Sequence, residues 1–303
     1  MRLLRGAAAS IVLAVTVAGC SNLFEAVAPQ NIESSKAGKQ AHVALDNWAA
    51  AVGSRGPGAL VAPIGDLTGQ IGDWEADVGD NNKRAVMAGQ IFTDMPLDGP
   101  AGNGVVTWPD GSTTAVPVMA AQDAIVAIAD AAKAAAAPCQ DCIPLTATDA
   151  TLVDARIDTT RGPATAPVWS FRIKGSAVRI TRVAIANAIV VPELPGDASF
   201  PSVGMHMDSA KGSVTGSDVT VSFIGAPDPG NKPCGEDYRA VAVESDLAVV
   251  IIVIRGPTNI GLGGACSAVG FVRTATATLK APLGDRAVLN VDTGQPVPLT
   301  LLP

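Results

Sequence analysis

The chain has 303 residues, enough for one large domain or two of ordinary size, and only 16% of them are charged. The formal net charge is −7, and no cluster of Lys and Arg is long enough to follow a phosphate backbone, which argues against nucleic acid as a partner. Aromatic residues make up 4% of the chain, which argues against an extended sugar-stacking cleft.

The N-terminus combines three features in chain order. Met1–Arg5 is basic, Gly6–Ala18 is apolar and uncharged, and small residues lead directly into Cys20. This order is typical of a secretory signal peptide, and the apolar run is too short to cross a membrane as a stable helix. The sequence therefore predicts a signal peptide over residues 1–19.

The segment Val17-Ala-Gly-Cys20 resembles the lipobox of bacterial lipoproteins. In that family the cysteine thiol receives a diacylglyceryl group, and a peptidase then cuts just before the cysteine. The resemblance implies that Cys20 is the lipidation site, with palmitate as an acyl chain, and that the membrane is a partner through this lipid. It also implies a location at the extracytoplasmic face of the cell membrane, with a polar tether over residues 20–34.

The remainder of the chain is similar to secreted lipoproteins of high-GC Gram-positive bacteria. The bias towards Ala, Val, Gly and Pro carries this resemblance, together with phrases such as Trp108–Ser112 and Pro282–Arg286. It implies no particular activity, and it transfers no functional residue to this chain.

Five cysteines are present, an odd number that Cys20 explains if it carries the lipid. The other four are enough for two disulfides in an oxidising compartment. Local closure favours Cys139 with Cys142 and Cys234 with Cys266, while the sequence leaves the other two pairings open.

The Cys-x-x-C spacing of Cys139 and Cys142 also suggests a redox or zinc site. A redox motif needs the pair to open a helix in a thioredoxin-like unit, whereas Pro138 precedes this pair and Pro144 begins a β-like run. A zinc site needs two further ligands at matched spacing, and the sequence offers none nearby. The four cysteines are therefore predicted to form structural disulfides.

Apolar residues at helical spacing predict a helix over Ser35–Val52. A second helix is predicted over Ala120–Ala137, where alanine favours helix, and Pro138 ends it. Asp80–Asn82 is predicted to cap a short helix or turn before a strand. Strands in this part of the chain are predicted at Leu60–Ile64, Ala85–Thr93, Gly104–Trp108 and Thr113–Val118.

Beyond residue 144 the chain consists of predicted strands separated by Gly- and Pro-rich turns. They are Thr146–Asp158, Ala166–Ile173, Ala177–Val191, Ser213–Ile224, Tyr238–Val243, Ala248–Arg255, Ala268–Ala281, Ala287–Val291 and Val297–Leu301. The sequence predicts an α+β fold in which β structure dominates. A small N-terminal helix-and-sheet region over residues 35–138 would pack beside a C-terminal antiparallel β-sandwich-like domain over residues 139–303.

Three patterns suggest ligands, and each has a structural alternative. Met205-His-Met207 offers thioether and imidazole groups for a soft metal such as copper, or it forms a loop or strand in which Met fills apolar gaps beside an exposed His206. The acids around Trp74 (Asp73, Glu75, Asp77 and Asp80) offer oxygens for calcium, or a solvated turn. Gly261–Gly264 is interpreted as a turn beside a disulfide.

No motif for a nucleophile, a metalloprotease or a phosphate loop is present, so no catalytic residue, metal site or cofactor is predicted. The sequence favours a surface-tethered lipoprotein that acts as a non-catalytic binding or interaction module of the cell envelope. Its expected partner is an envelope protein or a small ligand. The alternatives are an envelope hydrolase whose site is built from scattered residues and a lipid carrier with a large apolar cavity.

Overall fold

The computed structural model describes residues 32, 35–55, 61–76, 78–134, 139–194, 204–258, 266 and 268–302. The predicted signal peptide and Cys20 lie outside the described residues, as does the tether apart from Ile32. No helix in the described part of the chain is long and apolar enough to span a membrane.

The described residues form three helices and fifteen strands, numbered here in chain order. The helices are α1 (Lys36–Gly53), α2 (Gly79–Met87) and α3 (Ala121–Ala134). The strands of the first sheet are β1 (Pro63–Ile64), β2 (Thr68–Ile71), β3 (Ile91–Thr93), β4 (Gly102–Thr107), β5 (Thr113–Val118), β6 (Leu145–Thr159), β7 (Gly162–Ile173) and β8 (Arg179–Val183). The remaining strands are β9 (Met207–Ser213), β10 (Asp218–Gly225), β11 (Tyr238–Glu244), β12 (Ala248–Arg255), β13 (Phe271–Thr278), β14 (Ala287–Asn290) and β15 (Leu299–Leu302).

Helix α1 begins where the sequence predicts it. The Ser35 side chain accepts a hydrogen bond from the Gly38 backbone N–H at 3.0 Å, which satisfies one of the free donors of the first turn. Ala44, Leu45 and Trp48 lie on one face of the helix and are buried. That face packs against β11 and β12, so the N-terminal helix belongs to the core of the C-terminal strands.

The first sheet is built around the long β6–β7 hairpin. Its main path is β1-β6-β7-β4-β5, β3 also pairs with β6, and β2 joins through β8 at β7. Gly162 has φ +96° where the hairpin turns, a conformation that favours glycine. Strands β6–β8 follow residue 139, where we predicted a domain boundary, and they pair with strands that precede it. The hydrogen-bonded sheet therefore continues across that position, and the predicted domain limits stay a prediction.

Two further sheets make up the C-terminal sheet region. One has the order β13-β10-β9-β15 and the other the order β11-β12-β14. Their pairs are antiparallel except β9–β15 and β12–β14, which are parallel. Together with the small helical N-terminal region, these sheets confirm the predicted α+β fold dominated by β structure.

The sheet that contains β12 has a hydrophobic core on each of its two faces, and β12 contributes side chains to both. Ala248, Val250 and Ile252 belong to the core under α1, whereas Val249 and Ile251 belong to the core under β9, β10 and β13. Successive side chains of a strand point to opposite faces, so a strand that is covered on both faces needs a continuous apolar run.

The predicted strand Ala85–Thr93 is wrong in its first half. Helix α2 occupies that part, and only Ile91–Thr93 is extended. Gly89 ends the helix with φ +68°, and its N–H donates to the Val86 carbonyl oxygen at 3.0 Å. Ala85 is buried in the core beneath the first sheet. A short apolar run such as the one around Ala85 fits the period of a helix as well as that of a strand, so the sequence pattern did not distinguish them.

Two other predicted strands are also corrected. Ser213–Ile224 contains a turn, since β9 ends at Ser213 and β10 begins at Asp218. Ala177–Val191 is extended as a strand only over Arg179–Val183, after which Ile185 makes an isolated bridge with Val118. In the first case the turn residues are partly or fully exposed, and the Gly216 N–H donates to the Ser213 carbonyl oxygen within the turn.

Candidate functional site

Both favoured disulfides are present. Cys139 is bonded to Cys142 and Cys234 to Cys266, with a Cα–Cα distance of 5.5 Å in each case. Cys139, Asp141 and Cys142 are also the one group of convergent metal-ligating side chains among the described residues. Because metals bind the thiolate and both sulfurs form the disulfide, this oxidised group does not provide a metal site.

The small disulfide loop is fixed to α2 and to the residue before β3. Arg84 Nη2 donates to Asp141 Oδ1 at 2.7 Å, and Gln90 Nε2 donates to the Cys139 carbonyl oxygen at 2.5 Å. The Asp141 backbone amide, and then Arg84, hold the pKa of Asp141 below its usual value. These contacts are those expected of a structural cross-link.

The Met205–Met207 segment has the second of its two predicted arrangements. Met207 is buried and Met205 packs against the same core, beneath β9 and β10. His206 points to the opposite side, because side chains alternate along the extended backbone, and it is 60% exposed. The two thioethers and the imidazole therefore do not converge on a common metal position.

The acids near Trp74 do not converge on a calcium position in the described residues. Glu75 instead accepts hydrogen bonds from the Ala177 backbone N–H at 2.6 Å and the Ser176 hydroxyl at 2.8 Å. The Ala177 bond is the largest cause of a pKa of Glu75 below its usual value. Asp77 and the Gly261–Gly264 segment lie outside the described residues.

A cleft of about 1020 Å³ opens between the first sheet and the C-terminal strands. One wall is the segment 63–67, and the linker 189–193 forms another. The remaining walls are the start of β9 (206–208), the chain after β14 (293 and 295–298), Ala131 of α3 and the buried residues Trp48 and Asn290. Clefts of this size at the meeting of two structural units are common ligand sites in proteins.

His206 lies on the cleft and is paired with a carboxylate behind it. Its Nδ1 is 2.9 Å from Asp292 Oδ2 and 3.2 Å from Asn290 Nδ2. Since the carboxylate is acceptor-only, the shorter contact assigns the proton to Nδ1, which donates to Asp292. With the Nδ1 proton directed at Asp292, Nε2 is the remaining ring nitrogen, and it has no hydrogen-bond partner among the described residues.

Asn290 fixes the strand that carries His206. Its Oδ1 accepts from the Met207 backbone N–H at 3.2 Å, and its Nδ2 donates to the Met207 carbonyl oxygen at 3.1 Å. Asn290 is 1% exposed, so truncation of its side chain would leave the Met207 backbone groups unsatisfied in the interior. The end of β14 and the beginning of β9 are thus held together by one side chain.

Asp292 is held by the turn after β14. The Thr293 backbone N–H donates to Asp292 Oδ1 at 2.8 Å, and Gln40 Nε2 from α1 donates to the Asp292 carbonyl oxygen at 3.0 Å. Gly294 closes the turn with φ +69°, and a Cβ there would lie 2.9 Å from Leu194 Cγ. Helix, turn and linker therefore determine together where the carboxylate lies.

The rim of the cleft is acidic. Asp66, Glu193 and Asp208 line it and are exposed, and His206 is the one basic side chain among the described lining residues. The deeper walls include the buried apolar residues Trp48, Ile189 and Val191. The cleft can therefore accept an apolar group inside and a cationic group at its mouth.

A second, smaller cavity of about 290 Å³ lies beside the Cys234–Cys266 disulfide. Glu236 is buried there and accepts hydrogen bonds from the Thr258 hydroxyl and, at 2.7 Å, from the Tyr238 hydroxyl. Burial raises the pKa of Glu236, but these bonds and the nearby Arg255 guanidinium outweigh it and leave the pKa below its usual value. Both carboxylate oxygens are used within the protein, which indicates a structural network.

Sequence reasoning singled out His206 but missed Asn290 and Asp292. They lie 84 and 86 positions away along the chain, so no local motif connects them. The available signal was two polar residues, Asn290 and Asp292, flanking Val291 at the end of a predicted apolar strand.

No family model, no curated protein and no solved structure matches this chain.

Proposed function

We propose that this chain is an exported bacterial lipoprotein, anchored by a lipid on Cys20 at the extracytoplasmic face of the cell membrane. The folded part of the chain binds an envelope partner or small ligand and catalyses no reaction. The lipobox-like N-terminus supports the anchor. The two disulfides are consistent with an oxidising compartment. The cleft that contains His206 carries the binding part of the proposal.

The chemistry of the cleft defines the class of ligand. Three exposed carboxylates at the rim favour a cationic or amine-bearing group, and the apolar walls favour a hydrophobic body attached to it. The polar rim is a weaker fit to a lipid carrier, because an acyl chain is best accommodated in an enclosed apolar cavity.

The anchor is tested by measuring the intact mass of the protein from the membrane fraction, with and without reduction and alkylation. We expect a chain that begins at Cys20 and carries acyl mass, with the other four cysteines protected until they are reduced. A Cys20→Ser variant should leave the membrane fraction. An unacylated native chain would overturn the lipoprotein part of the proposal.

The cleft is tested by photo-cross-linking in intact cells. A photoreactive residue at Val190, which is exposed and lines the cleft, should capture the bound partner or ligand. The matched control is Val126, which is similarly exposed on α3 but does not line the cleft. Equal capture at both positions, or none at Val190, would contradict binding in the cleft.

The His206–Asp292 pair favours a second candidate, a hydrolase that uses His206 as a general base. A carboxylate on Nδ1 orients an imidazole and stabilises its protonated form, as catalysis requires. No serine or cysteine lines the cleft among the described residues, and the Thr293 hydroxyl that does line it accepts a hydrogen bond from the Gln295 backbone N–H. Water is therefore the nucleophile in this candidate.

Turnover of nitrophenyl esters and phosphates by the mature chain separates the two candidates. We expect the mature parent chain to show no turnover above that of the His206→Ala variant. The control is His42→Ala, which changes the other histidine, exposed on α1. Turnover that His206→Ala abolishes and His42→Ala preserves would favour the hydrolase.

A further inference from the structure

Strand β6 has an outer edge that is paired only at its two ends. Along the inner edge it pairs with β7 from Ala147 to Thr159. On the outer edge β3 pairs with residues 145–147, and β1 pairs with residues 158–159. Between these two short strands the outer edge of residues 148–157 has no strand beside it in the described part of the chain.

The open edge spans about 30 Å, at about 3.3 Å per residue. Within the described residues, the backbone of 148–157 makes hydrogen bonds only with β7. Every second residue of such an edge presents its N–H and C=O groups outward, where another strand can bind them. Most side chains of this stretch are exposed, and Leu152 and Val153 are exposed on opposite faces.

The geometry excludes a second copy of β6 as the occupant. The partner strand would bring its own β1 and β3, which lie on the same edge as the opening. If two copies paired antiparallel along this edge, β1 and β3 of the second copy would overlap the two ends of β6 in the first copy. A single extended segment has no neighbouring strands of its own, so it can lie beside residues 148–157 without this overlap.

Charges at the opening add a further constraint. Asp154 and Arg156 lie on the same face of β6 and form no ion pair within the described residues. Their neighbours on β7 are Pro167 and Thr165, which are uncharged. Opposite charges that face each other across a strand pair are stabilising, and antiparallel pairing brings such side chains closest.

We infer that residues 148–157 bind an extended segment of another protein, up to about ten residues long, as an added antiparallel strand. The segment carries an acidic residue opposite Arg156 and, two positions later, a basic residue opposite Asp154. None of residues 148–157 lines the cleft, so this interaction is separate from ligand binding there.

The test uses the mature, disulfide-bonded chain and two fluorescein-labelled decapeptides rich in Thr and Val. The matched peptide has Glu followed two residues later by Lys, and the control peptide has these two residues exchanged. We expect the matched peptide to slow amide hydrogen exchange within 148–157 and to bind about tenfold more tightly than the control. The His206→Ala variant should bind the matched peptide as the parent chain does.

The double variant Asp154→Lys with Arg156→Glu should reverse the preference between the two peptides. Both side chains are exposed, so the fold should be kept, and a urea unfolding curve checks this. Equal binding of the two peptides, no slowing of exchange at millimolar peptide, or slowing only outside 148–157 would each overturn the inference. Slowing of exchange in 148–157 that rises with protein concentration alone would identify a second copy as the occupant and also overturn it.

Discussion

Strands β12 and β6 differ in what surrounds them. β12 has β11 on one side and β14 on the other, and a hydrophobic core covers each of its faces. β6 has β7 along one side, and on its other side residues 148–157 have no strand beside them in the described part of the chain. The first strand is therefore covered on both faces and paired on both sides over Ala248–Ile251, whereas the second is an edge strand over most of its length.

The difference explains their compositions. β12 is Ala-Val-Val-Ile-Ile-Val-Ile-Arg, because every position up to Val253 is buried against one core or the other. β6 mixes Thr, Asp, Leu, Val and Arg, and within residues 148–157 only Ala150, Ala155 and Ile157 are partly buried against a core. Burial on both faces determines the residues of β12, whereas the residues of β6 are constrained mainly by strand propensity and solubility.

The same contrast applies to ion pairs. Arg286 Nη1 donates to Glu244 Oε2 at 2.8 Å beside the start of β12, and both side chains are about nine-tenths buried. Arg179 Nη2 is 3.8 Å from Asp149 Oδ2 on β6, and the Asp149 side chain is 54% exposed. A buried pair is costly to break because one charge is left without a partner, whereas an exposed pair is replaced by water.

The largest effect is therefore expected from Arg286→Met, which should lower the free energy of unfolding by about 3–5 kcal/mol. Asp149→Asn should lower it by less than about 1 kcal/mol. Urea unfolding at neutral pH measures both values. Similar costs for the two changes would contradict the contrast between the buried and the exposed pair.

The effect of Arg286→Met should also depend on pH. Burial raises the pKa of Glu244, but the Arg286 side chain and the Lys280 backbone N–H outweigh it and hold the pKa below its usual value of 4.5. The stabilisation from ionised Glu244 is thus present above that value and is lost as the pH falls through the lowered folded-state pKa. We expect the difference between variant and parent to shrink in acid, and a constant difference would argue against this role of Glu244.

The next largest effect is expected in the middle of β12. Ile251 is fully buried between β12 and the sheet of β9, β10 and β13. Ile251→Ala removes three carbons from a closed core, and we expect it to lower the free energy of unfolding by about 3 kcal/mol. A loss below about 1 kcal/mol in urea unfolding would show that this core collapses around the change.

A smaller effect is expected at the turn after β14, the strand beside β12. Gly294→Ala places a Cβ at φ +69° and 2.9 Å from Leu194 Cγ, and we expect a loss of about 1–2 kcal/mol. Gly111→Ala is the matched control, because its φ is +82° and a Cβ there has no neighbour within 4 Å. A smaller loss at Gly294 than at Gly111 in urea unfolding would mean that Leu194 contributes no constraint.

The smallest effect is expected on β6. Leu152→Ala changes an exposed side chain at the open edge and should alter the free energy of unfolding by less than about 0.5 kcal/mol. Amide exchange in residues 148–157 should be faster than in β12 in both the parent and the variant. A loss near that of Ile251→Ala would show that this face of β6 is covered.

Much of the fold could be predicted because its signals are local. The helical spacing of Ala44, Leu45 and Trp48 predicted α1, and the apolar run of β12 predicted a buried strand. The sequence predicts only a short helix or turn capped by Asp80–Asn82, whereas these residues lie inside helix α2, which has no side-chain cap. The second half of α2 was assigned to a strand because Ala85 and its apolar neighbours fit either period.

Sequence patterns alone predicted the β-dominant character, α1, the central strand of the C-terminal region and the favoured pairing of four cysteines. These features follow from local dihedral preferences, burial patterns and short closure distances. Three features depend on the tertiary structure: Asp292 lies behind His206, Asn290 fixes Met207, and residues 148–157 of β6 have no strand on their outer edge among the described residues. Such neighbours are far apart along the chain, and packing of whole sheets, which no local pattern encodes, brings them together or leaves them apart.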